Sequence, residues 1–225
     1  MKKDSAHTQV PTVTRKTDTA AKILAAAKKI FSEYPYHTAS IRMVGDAAGL
    51  NYQLVMYYFS SKAALFEAVL SDVLNEYYQA NTKWLNETGG MNATEGLSLY
   101  IDRLIAFTHT HPAALRIVLL NLVQANKSQI IPNYFLLQNF VARTIPVFKK
   151  ASSVRATDQE IERFAHNFNT LAINYLGAGA YHAGILGMAP GSPEYKKWVK
   201  ENLMFMFLPQ LKLLVRGGDQ KLKAQ

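Results

Sequence analysis

The sequence of 225 residues contains no cysteine, which excludes disulfides and metal sites built from thiolates. It also lacks Asn-Gly and Asp-Gly turns and segments of alternating apolar and polar residues, so β-hairpins are not expected. No apolar run follows the lysines at the N-terminus, which therefore does not resemble a signal peptide. These absences favour a helical protein of the cytoplasm, without disulfides.

Recognisable signatures of catalysis are missing as well. His109 and His111 are two positions apart, and this spacing places two side chains on different faces of a helix. The segment 177–184, GAGAYHAG, is not preceded by a strand, as a dinucleotide-binding loop would be. No Ser/His/Asp set or pair of carboxylates is evident. We therefore expect that the protein is not an enzyme and has no cofactor and no metal site. The alternative is a helical protein that binds a small molecule, or an enzyme, and in either case does not bind DNA.

Positive charge is concentrated near the N-terminus. The formal charge of the chain is +9, and residues 1–65 contain nine Lys or Arg against four acids. A basic module of this kind favours a polyanionic partner, either nucleic acid or an anionic membrane. A solvated surface with an asymmetry due to chance is the other interpretation. Residues 1–17 are rich in Thr and Lys, and we interpret them as a flexible basic arm.

Apolar spacing of three and four residues predicts helices along nearly the whole chain. The first extends from Thr19 to Pro35, and Ser40, Asn51 and Ser61 are candidate N-caps of the next three. Pro146 should kink or end a later helix, and TDQE at 157–160 is a capping box before a long apolar one. The fold class is all-α, with a small N-terminal three-helix module and a larger helical domain.

Residues 40–59, SIRMVGDAAGLNYQLVMYYF, have the pattern of a helix-turn-helix. Gly45 is small where the second helix must approach, and Gly49 can adopt the left-handed conformation that the turn needs. Val44, Ala48 and Val55 would face the first helix. A generic helical hairpin is the alternative. In a helix-turn-helix, the start of the helix after Asn51 would lie in the major groove of DNA.

At this point the sequence resembles the TetR family of transcriptional regulators. The resemblance rests on AAKILAAAKKIFSEY (20–34) and SIRMVGDAAGLNYQLVMYYFSSKAALFEAVL (40–70). The family pattern is carried by Phe31, Val44, Gly45, Gly49, Tyr57, Tyr58, Phe59, Ser61, Lys62 and Leu65. The resemblance implies a basic arm (1–17), a helix-turn-helix domain (18–65) and an effector-binding and dimerisation domain (66–225). It implies a homodimeric regulator, a repressor in our expectation, that binds a near-palindromic operator in double-stranded DNA and responds to a small molecule.

Several side chains of the helix-turn-helix are candidates for contacts with DNA. Gln53 could pair with adenine and Leu54 could contact a thymine methyl group. Tyrosine hydroxyls and Lys62 could bind phosphate. The resemblance assigns DNA contacts to the positions of Arg42, Tyr58 and Lys62. The full predicted set is Ser40, Arg42, Asn51, Tyr52, Gln53, Leu54, Tyr57, Tyr58 and Lys62.

Two positions depart from the family pattern. The family usually has a tyrosine that contacts phosphate where this chain has Met56, so that contact is lost or is taken over by Tyr57 or Tyr52. It often has a small residue where this chain has Gln53, and a longer side chain there should change the base preference.

The uncharged segment 164–193 has small residues at regular intervals, which allow helices to approach closely. We interpret it, with the last helix, as the dimer interface of a four-helix bundle; a helix buried within one subunit is the alternative. Several Asn and Gly residues make a membrane span a poor third interpretation. The predicted interface residues are Ile173, Gly177, Ala180, Gly184, Gly187, Trp198 and Phe205.

A pocket for a small-molecule effector is expected in the larger domain, since aromatic side chains with a few polar groups are typical of ligand sites. The same aromatic residues could instead be ordinary core. The predicted lining residues are Trp84, Tyr100, Leu104, Phe107, Phe135, Asn139, Asn174 and Tyr175.

Overall fold

The computed structural model describes the backbone of residues 12–122, 135–152 and 154–216, and the side chains of 17–122, 143–152 and 154–215. This part of the chain is helical and contains no strand, which confirms the all-α prediction. Its helices are α1 (Thr12–Glu33), α2 (Ile41–Ala48), α3 (Tyr52–Tyr58), α4 (Lys62–Glu87), α5 (Ala93–Thr110), α6 (Pro112–Leu122), α7 (Phe135–Ser152), α8 (Asp158–Gly177), α9 (Gly179–Ile185) and α10 (Pro193–Arg216).

Side-chain caps begin the helices where the sequence predicts them. Ser40, Asn51 and Ser61 each accept a hydrogen bond from the backbone N–H three residues further along the chain. Thr157 and Glu160 form the reciprocal bonds of the predicted capping box at the start of α8. These bonds satisfy backbone donors that have no partner inside a helix, so they fix where each helix begins.

Three boundaries differ from the sequence prediction. Helix α1 begins at Thr12, inside the predicted arm, because the apolar spacing marks only the packed part of the helix; residues 1–11 lie outside the described residues. Helix α7 does not end at Pro146 but continues to Ser152. The long apolar helix breaks at Ala178, between two glycines that favour helix weakly, so α8 and α9 are separate.

Apolar side chains of α1 form the core of the N-terminal module. Ile23, Ala27 and Phe31 are almost completely buried, together with Val44 and Val55 of α2 and α3. The rings of Phe31 and Phe66 meet edge to face at 4.9 Å, and Phe66 belongs to α4. The fourth helix therefore packs against the small module before it enters the larger domain.

Helix α4 also contributes to the core of the larger domain. Its second half buries Tyr77, Trp84 and Leu85, among others. With 26 residues, the helix is roughly 39 Å long. It is a continuous rod that crosses the predicted boundary between residues 65 and 66. No described helix has the length and apolar character of a membrane span.

Gly45 and Gly96 provide a matched test of the packing in the N-terminal module. A Cβ at Gly45 would lie 2.8 Å from the backbone oxygen of Leu50, whereas a Cβ at Gly96 would make ordinary contacts of 3.5 Å or more. We expect Gly45→Ala to lower the free energy of unfolding by about 1–3 kcal/mol, because a backbone oxygen cannot move aside cheaply. Urea denaturation measures the change. Gly96→Ala is the control and should leave stability equal or higher, and an equal loss in both variants would contradict the packing argument.

Candidate nucleic-acid interface and ligand cavity

The turn between α2 and α3 has the geometry of a helix-terminating Schellman motif. Gly49 has φ 62° and ψ 38°, in the left-handed region. The Leu50 N–H donates to the Gly45 carbonyl at 2.9 Å, and the Gly49 N–H donates to the Asp46 carbonyl at 3.1 Å. Since Gly45 lies tightly against the chain just after this turn, both glycines fix the angle at which α3 leaves α2.

The first residues of α3 are directed outward. Asn51, Tyr52 and Gln53 are exposed, and the Asn51 side chain accepts a hydrogen bond from the Leu54 N–H at 2.7 Å. Leu54 is half-buried, and Val55 is completely buried. One apolar side chain thus anchors this short helix, while its N-terminal turn faces solvent.

The aromatic residues at the end of α3 divide between surface and core. Tyr57 is 69% exposed, whereas Tyr58 is half-buried against the core, and their rings meet edge to face at 5.4 Å. Met56 is also half-buried and packs on the core. Of these three side chains, Tyr57 is therefore the one best placed to reach a partner in solution.

The two candidates on α2 differ in their local role. The Ser40 hydroxyl oxygen caps the helix by accepting from the Met43 N–H at 3.2 Å. Arg42 is exposed and has no hydrogen bond or ion pair with any described residue. Its guanidinium can therefore reach a partner without breaking an internal contact.

Lys62 binds the backbone of its own protein. Its ammonium group donates to the carbonyls of Tyr36 (2.8 Å), Ala39 (3.0 Å) and His37 (3.4 Å). It also lies 4.5 Å from the centre of the Tyr36 ring. Burial lowers the pKa of Lys62. The predicted phosphate contact stays a prediction, but in this structure the residue joins α4 to the turn between α1 and α2.

Helix α6 of the larger domain holds the same turn from another side. The buried Asn121 side chain accepts from the Tyr36 N–H at 3.0 Å, and Arg116 donates to the Ser32 carbonyl at 3.1 Å. On its other side, α6 contacts α8 so closely that a Cβ at Gly177 would lie 3.1 Å from the Leu115 carbonyl oxygen. Helix α6 thus lies between the N-terminal module and the wall of the larger domain.

A second link between the domains is ionic. Lys28 of α1 contacts the carboxylates of Asp72 (2.6 Å) and Glu76 (2.8 Å) on α4. Burial alone would lower the pKa of Lys28, but the hydrogen bonds and charges of these two carboxylates outweigh it and raise the pKa. The protonated lysine therefore holds α1 against α4.

The larger domain encloses a cavity of about 750 Å³ between α4, α5, α7, α8 and α10. Its polar groups include Asn81 and Tyr100, and the Tyr100 hydroxyl donates to the Asn81 oxygen at 2.5 Å. Tyr100 also hydrogen-bonds to Tyr77, whose pKa burial raises to about 12. Both phenols are therefore protonated at neutral pH. No described group of three or more His, Asp or Glu is placed to hold a metal ion.

The predicted ligand contacts mostly lie away from this cavity. Tyr100 lines it, while Trp84, Leu104 and Phe107 are buried in the surrounding core. Asn174 and Tyr175 belong to a different cluster, in which the Asn174 oxygen lies 2.6 Å from His182 Nε2. The side chains of Phe135 and Asn139 lie outside the described residues.

Sequence reasoning missed most of the residues that line the cavity. Asn81, Phe148, Phe164, Phe168 and Asn169 all face it. One signal was present in the sequence, since Asn81 continues the apolar stripe of α4, and a polar residue on an apolar stripe needs a partner. The three phenylalanines could not be told from core residues, because helix periodicity does not distinguish a packed face from a cavity wall.

The residues predicted for a dimer interface lie in three environments. Gly177 packs within the chain against α6, and Ile173 and Trp198 are half-buried. Ala180, Gly184 and Gly187 are exposed on and after α9. Phe205 of α10 is 79% exposed. The break at Ala178 means that the small residues do not form the single straight seam that their spacing suggests.

Large apolar side chains are also exposed on the elements that hold these positions. Tyr181, Ile185 and Leu186 belong to α9 and the turn after it, and Phe205, Met206 and Leu213 to α10. We name these six residues the α9–α10 patch. Large apolar side chains that remain exposed are candidates for contact with a partner.

Comparison with known proteins gives a family match in the N-terminal part of the chain and partial matches to named regulators. The sequence model described as bacterial regulatory proteins, tetR family, matches residues 23–69. The HTH-type transcriptional regulator RutR of Escherichia coli (strain K12) is 38% identical over 53 residues, which are 24% of this chain and 25% of RutR. YttP of Bacillus subtilis (strain 168) is 27% identical over 108 residues, 46% of this chain and 50% of YttP. The matches thus span a quarter to a half of these relatives.

Solved structures match over most of the chain. A TetR-like transcriptional regulator from Rhodococcus sp. RHA1 superposes with a TM-score of 0.61 at 16% identity, covering 93% of this chain and 100% of that one. A TetR-family regulator from Streptomyces coelicolor gives 0.56 at 18% identity, covering 86% and 99%. At these identities the likeness is one of fold.

Lys62 and Lys83 allow the structural role of Lys62 to be tested. Lys62→Met keeps the apolar stem but removes the hydrogen bonds to the turn, so we expect the free energy of unfolding to fall by about 1–2 kcal/mol. Lys83→Met, at an exposed position of the same helix, should change it by less than about 0.5 kcal/mol. Thermal and urea denaturation of both variants decide the point. Equal stability of the two would mean that the carbonyl contacts contribute nothing.

Proposed function

We propose that the chain, whose residues 23–69 match the tetR family of bacterial regulatory proteins, is a member of that family and a cytoplasmic transcriptional regulator that binds double-stranded DNA. The proposal includes a homodimer, a repressor role and release or capture of DNA in response to a small molecule. It assigns no catalytic activity. RutR, with which the chain shares 38% identity over 53 residues, is named as a transcriptional regulator.

The observation that carries the proposal is the outward-facing first turn of α3. Asn51, Tyr52 and Gln53 are exposed on a helix whose position is fixed by the turn at Gly49 and by the buried Val55. A recognition helix needs this combination, because its N-terminal side chains must reach base edges while its other face is held rigidly. The net positive charge of residues 1–65 favours binding to the negatively charged phosphate backbone of DNA.

The roles of individual residues follow from their exposure. Gln53 can form two hydrogen bonds with adenine, and Arg42 can bind guanine or phosphate with its guanidinium. Tyr57 takes the phosphate contact that the half-buried Met56 cannot make. Lys62 acts in part by holding the turn on which α2 begins.

The α9–α10 patch supports the homodimer. Trp198 and Phe205 are seven residues apart on α10, which places them on one face of the helix. An isologous contact through this face would cover the exposed apolar side chains of both subunits. Two copies related in this way would present two α3 helices to successive major grooves of a near-palindrome.

The ligand response would pass through α6. The wall of the cavity includes α8, and α8 contacts α6 at Gly177 and Leu115. Helix α6 in turn holds the backbone of Ser32 and Tyr36. A ligand that favours one position of α8 would therefore favour one orientation of the helix-turn-helix module, and so one spacing of the two α3 helices.

Gln53→Ala tests the role of α3 in sequence recognition. Duplexes are first selected from a random pool with the unmodified protein, and the Kd for the selected duplex and for a shuffled one is then measured. We expect the variant to lose about 10-fold or more for the selected duplex, because a bidentate pair with a base is lost, and little for the shuffled one. Gln79→Ala, an exposed glutamine on α4, is the control. Failure to select any sequence, or equal losses on both duplexes, would contradict the proposed recognition.

Phe205→Glu tests the homodimer. A carboxylate at the centre of an apolar contact would have to be buried in each subunit, so we expect the variant to be monomeric. Light scattering coupled to size-exclusion chromatography measures the mass. Met91→Glu places the same charge at an exposed apolar residue of the α4–α5 loop and should leave the dimer intact. A dimeric Phe205→Glu protein would remove this residue from the interface.

A further inference from the structure

The described residues that line the cavity contribute no buried charge. Its charged lining residues are Glu95 and Lys212, and both are exposed. The other polar side chains that face it, among them Thr144 and Asn169, are neutral. An ionised group deep in this space would lose its hydration without gaining a counter-ion, which costs several kcal/mol or more.

Aromatic rings form much of the apolar surface. Phe148 and Phe164 are stacked with their centres 5.8 Å apart, and Phe164 and Phe168 are stacked at 6.3 Å. All three line the cavity. The rings offer a continuous apolar wall against which a flat or extended hydrocarbon can pack.

The side-chain amide of Asn81, in the cavity wall, has a hydrogen bond to a described residue at its oxygen but not at its nitrogen. Asn81 is 4% exposed, and its oxygen already accepts from the Tyr100 hydroxyl. Its side-chain nitrogen makes no hydrogen bond to any described residue. An amide N–H that lines a cavity and is otherwise buried requires an acceptor, which the ligand can supply.

The positions of the lining residues set the depth of the site. At the α4–α5 loop the site is lined by Thr88 and Ala93. Seven residues before Thr88, α4 contributes Asn81, and seven residues after Ala93, α5 contributes Tyr100. Seven residues of helix are roughly 10 Å long. The Asn81 amide nitrogen, which has no hydrogen bond to a described residue, is therefore at the inner end, and the exposed Glu95 and Lys212 are associated with the outer one.

From these observations we propose that the cavity binds an uncharged, mainly apolar molecule about 10 Å long, whose hydrogen-bond acceptor, a carbonyl oxygen or its equivalent, is bound by the Asn81 amide at the inner end. The identification of this ligand as the effector rests on the proposed function. The binding itself does not, since it concerns the free protein.

Three naphthalene derivatives of similar size show how the charge of the ligand and its hydrogen-bond acceptor each affect binding. The ketone 2-acetylnaphthalene is neutral and has an acceptor, 2-ethylnaphthalene has none, and 2-naphthoate carries a negative charge. Equilibrium dialysis of the full chain without DNA gives the Kd of each. We expect saturable binding of the ketone and at least about 10-fold weaker binding of the carboxylate, because the cavity offers that anion no buried cation. This comparison requires no variant.

The substitution Asn81→Leu tests the inner hydrogen bond when it is made in a Tyr100→Phe background, because the Tyr100 hydroxyl would otherwise lose its acceptor and could itself donate to the ketone. It removes the donor and retains a similar volume, so the ketone should bind roughly 5–10-fold more weakly while 2-ethylnaphthalene binds as well or better. The ratio of the two Kd values is the quantity to compare, since it cancels any general change in the cavity. Asn86→Leu, the same substitution at an exposed position of α4, should leave the ratio unchanged.

Three results would overturn the inference: no saturable binding of the ketone, equal binding of ketone and carboxylate, or an unchanged ratio in Asn81→Leu. A protein that binds the ketone through Asn81 but selects no DNA sequence would refute the proposed function and leave this inference intact. The reverse result, sequence-specific DNA binding without discrimination among the naphthalenes, would refute the inference alone.

Discussion

The turn at residues 35–39 determines where the helix-turn-helix module lies relative to the rest of the protein, and Tyr36 is its centre. The N–H of Tyr36 is bound by Asn121 of α6, and its carbonyl by Lys62 of α4. Its ring packs against Phe66 at 4.9 Å and Phe31 at 6.4 Å. Three helices thus meet at one residue, and none of them can move far without breaking a contact to it.

This arrangement fixes the small module against the larger domain. Its core is completed by α4, and the turn between α1 and α2 is held from outside by α6. The side chain of Asn121 is buried and fully engaged, because its nitrogen donates to the Ile117 carbonyl at 2.7 Å while its oxygen binds Tyr36. A buried amide with both ends satisfied favours one relative position of the two domains over others.

The features that the sequence predicts best are local ones. The caps at Ser40, Asn51 and Ser61 and the turn at Gly49 depend on residues within a few positions of each other, so their chemistry can be inferred without the fold. The membership of Phe168 in a cavity wall depends instead on how α8 is rotated against α5 and α10. The attachment of Lys62 to a turn more than twenty residues earlier is equally invisible in the sequence.

The side-chain hydrogen bonds that join the larger domain to the module at and just before this turn end on backbone atoms. Arg116 binds the carbonyl of Ser32, Asn121 binds the N–H of Tyr36, and Lys62 binds carbonyls of the same turn. Backbone groups are present whatever the side chain, apart from the missing N–H of proline. The outward face of α2 and α3 can therefore diversify in the course of evolution, or be exchanged by grafting, while the junction with the larger domain is preserved.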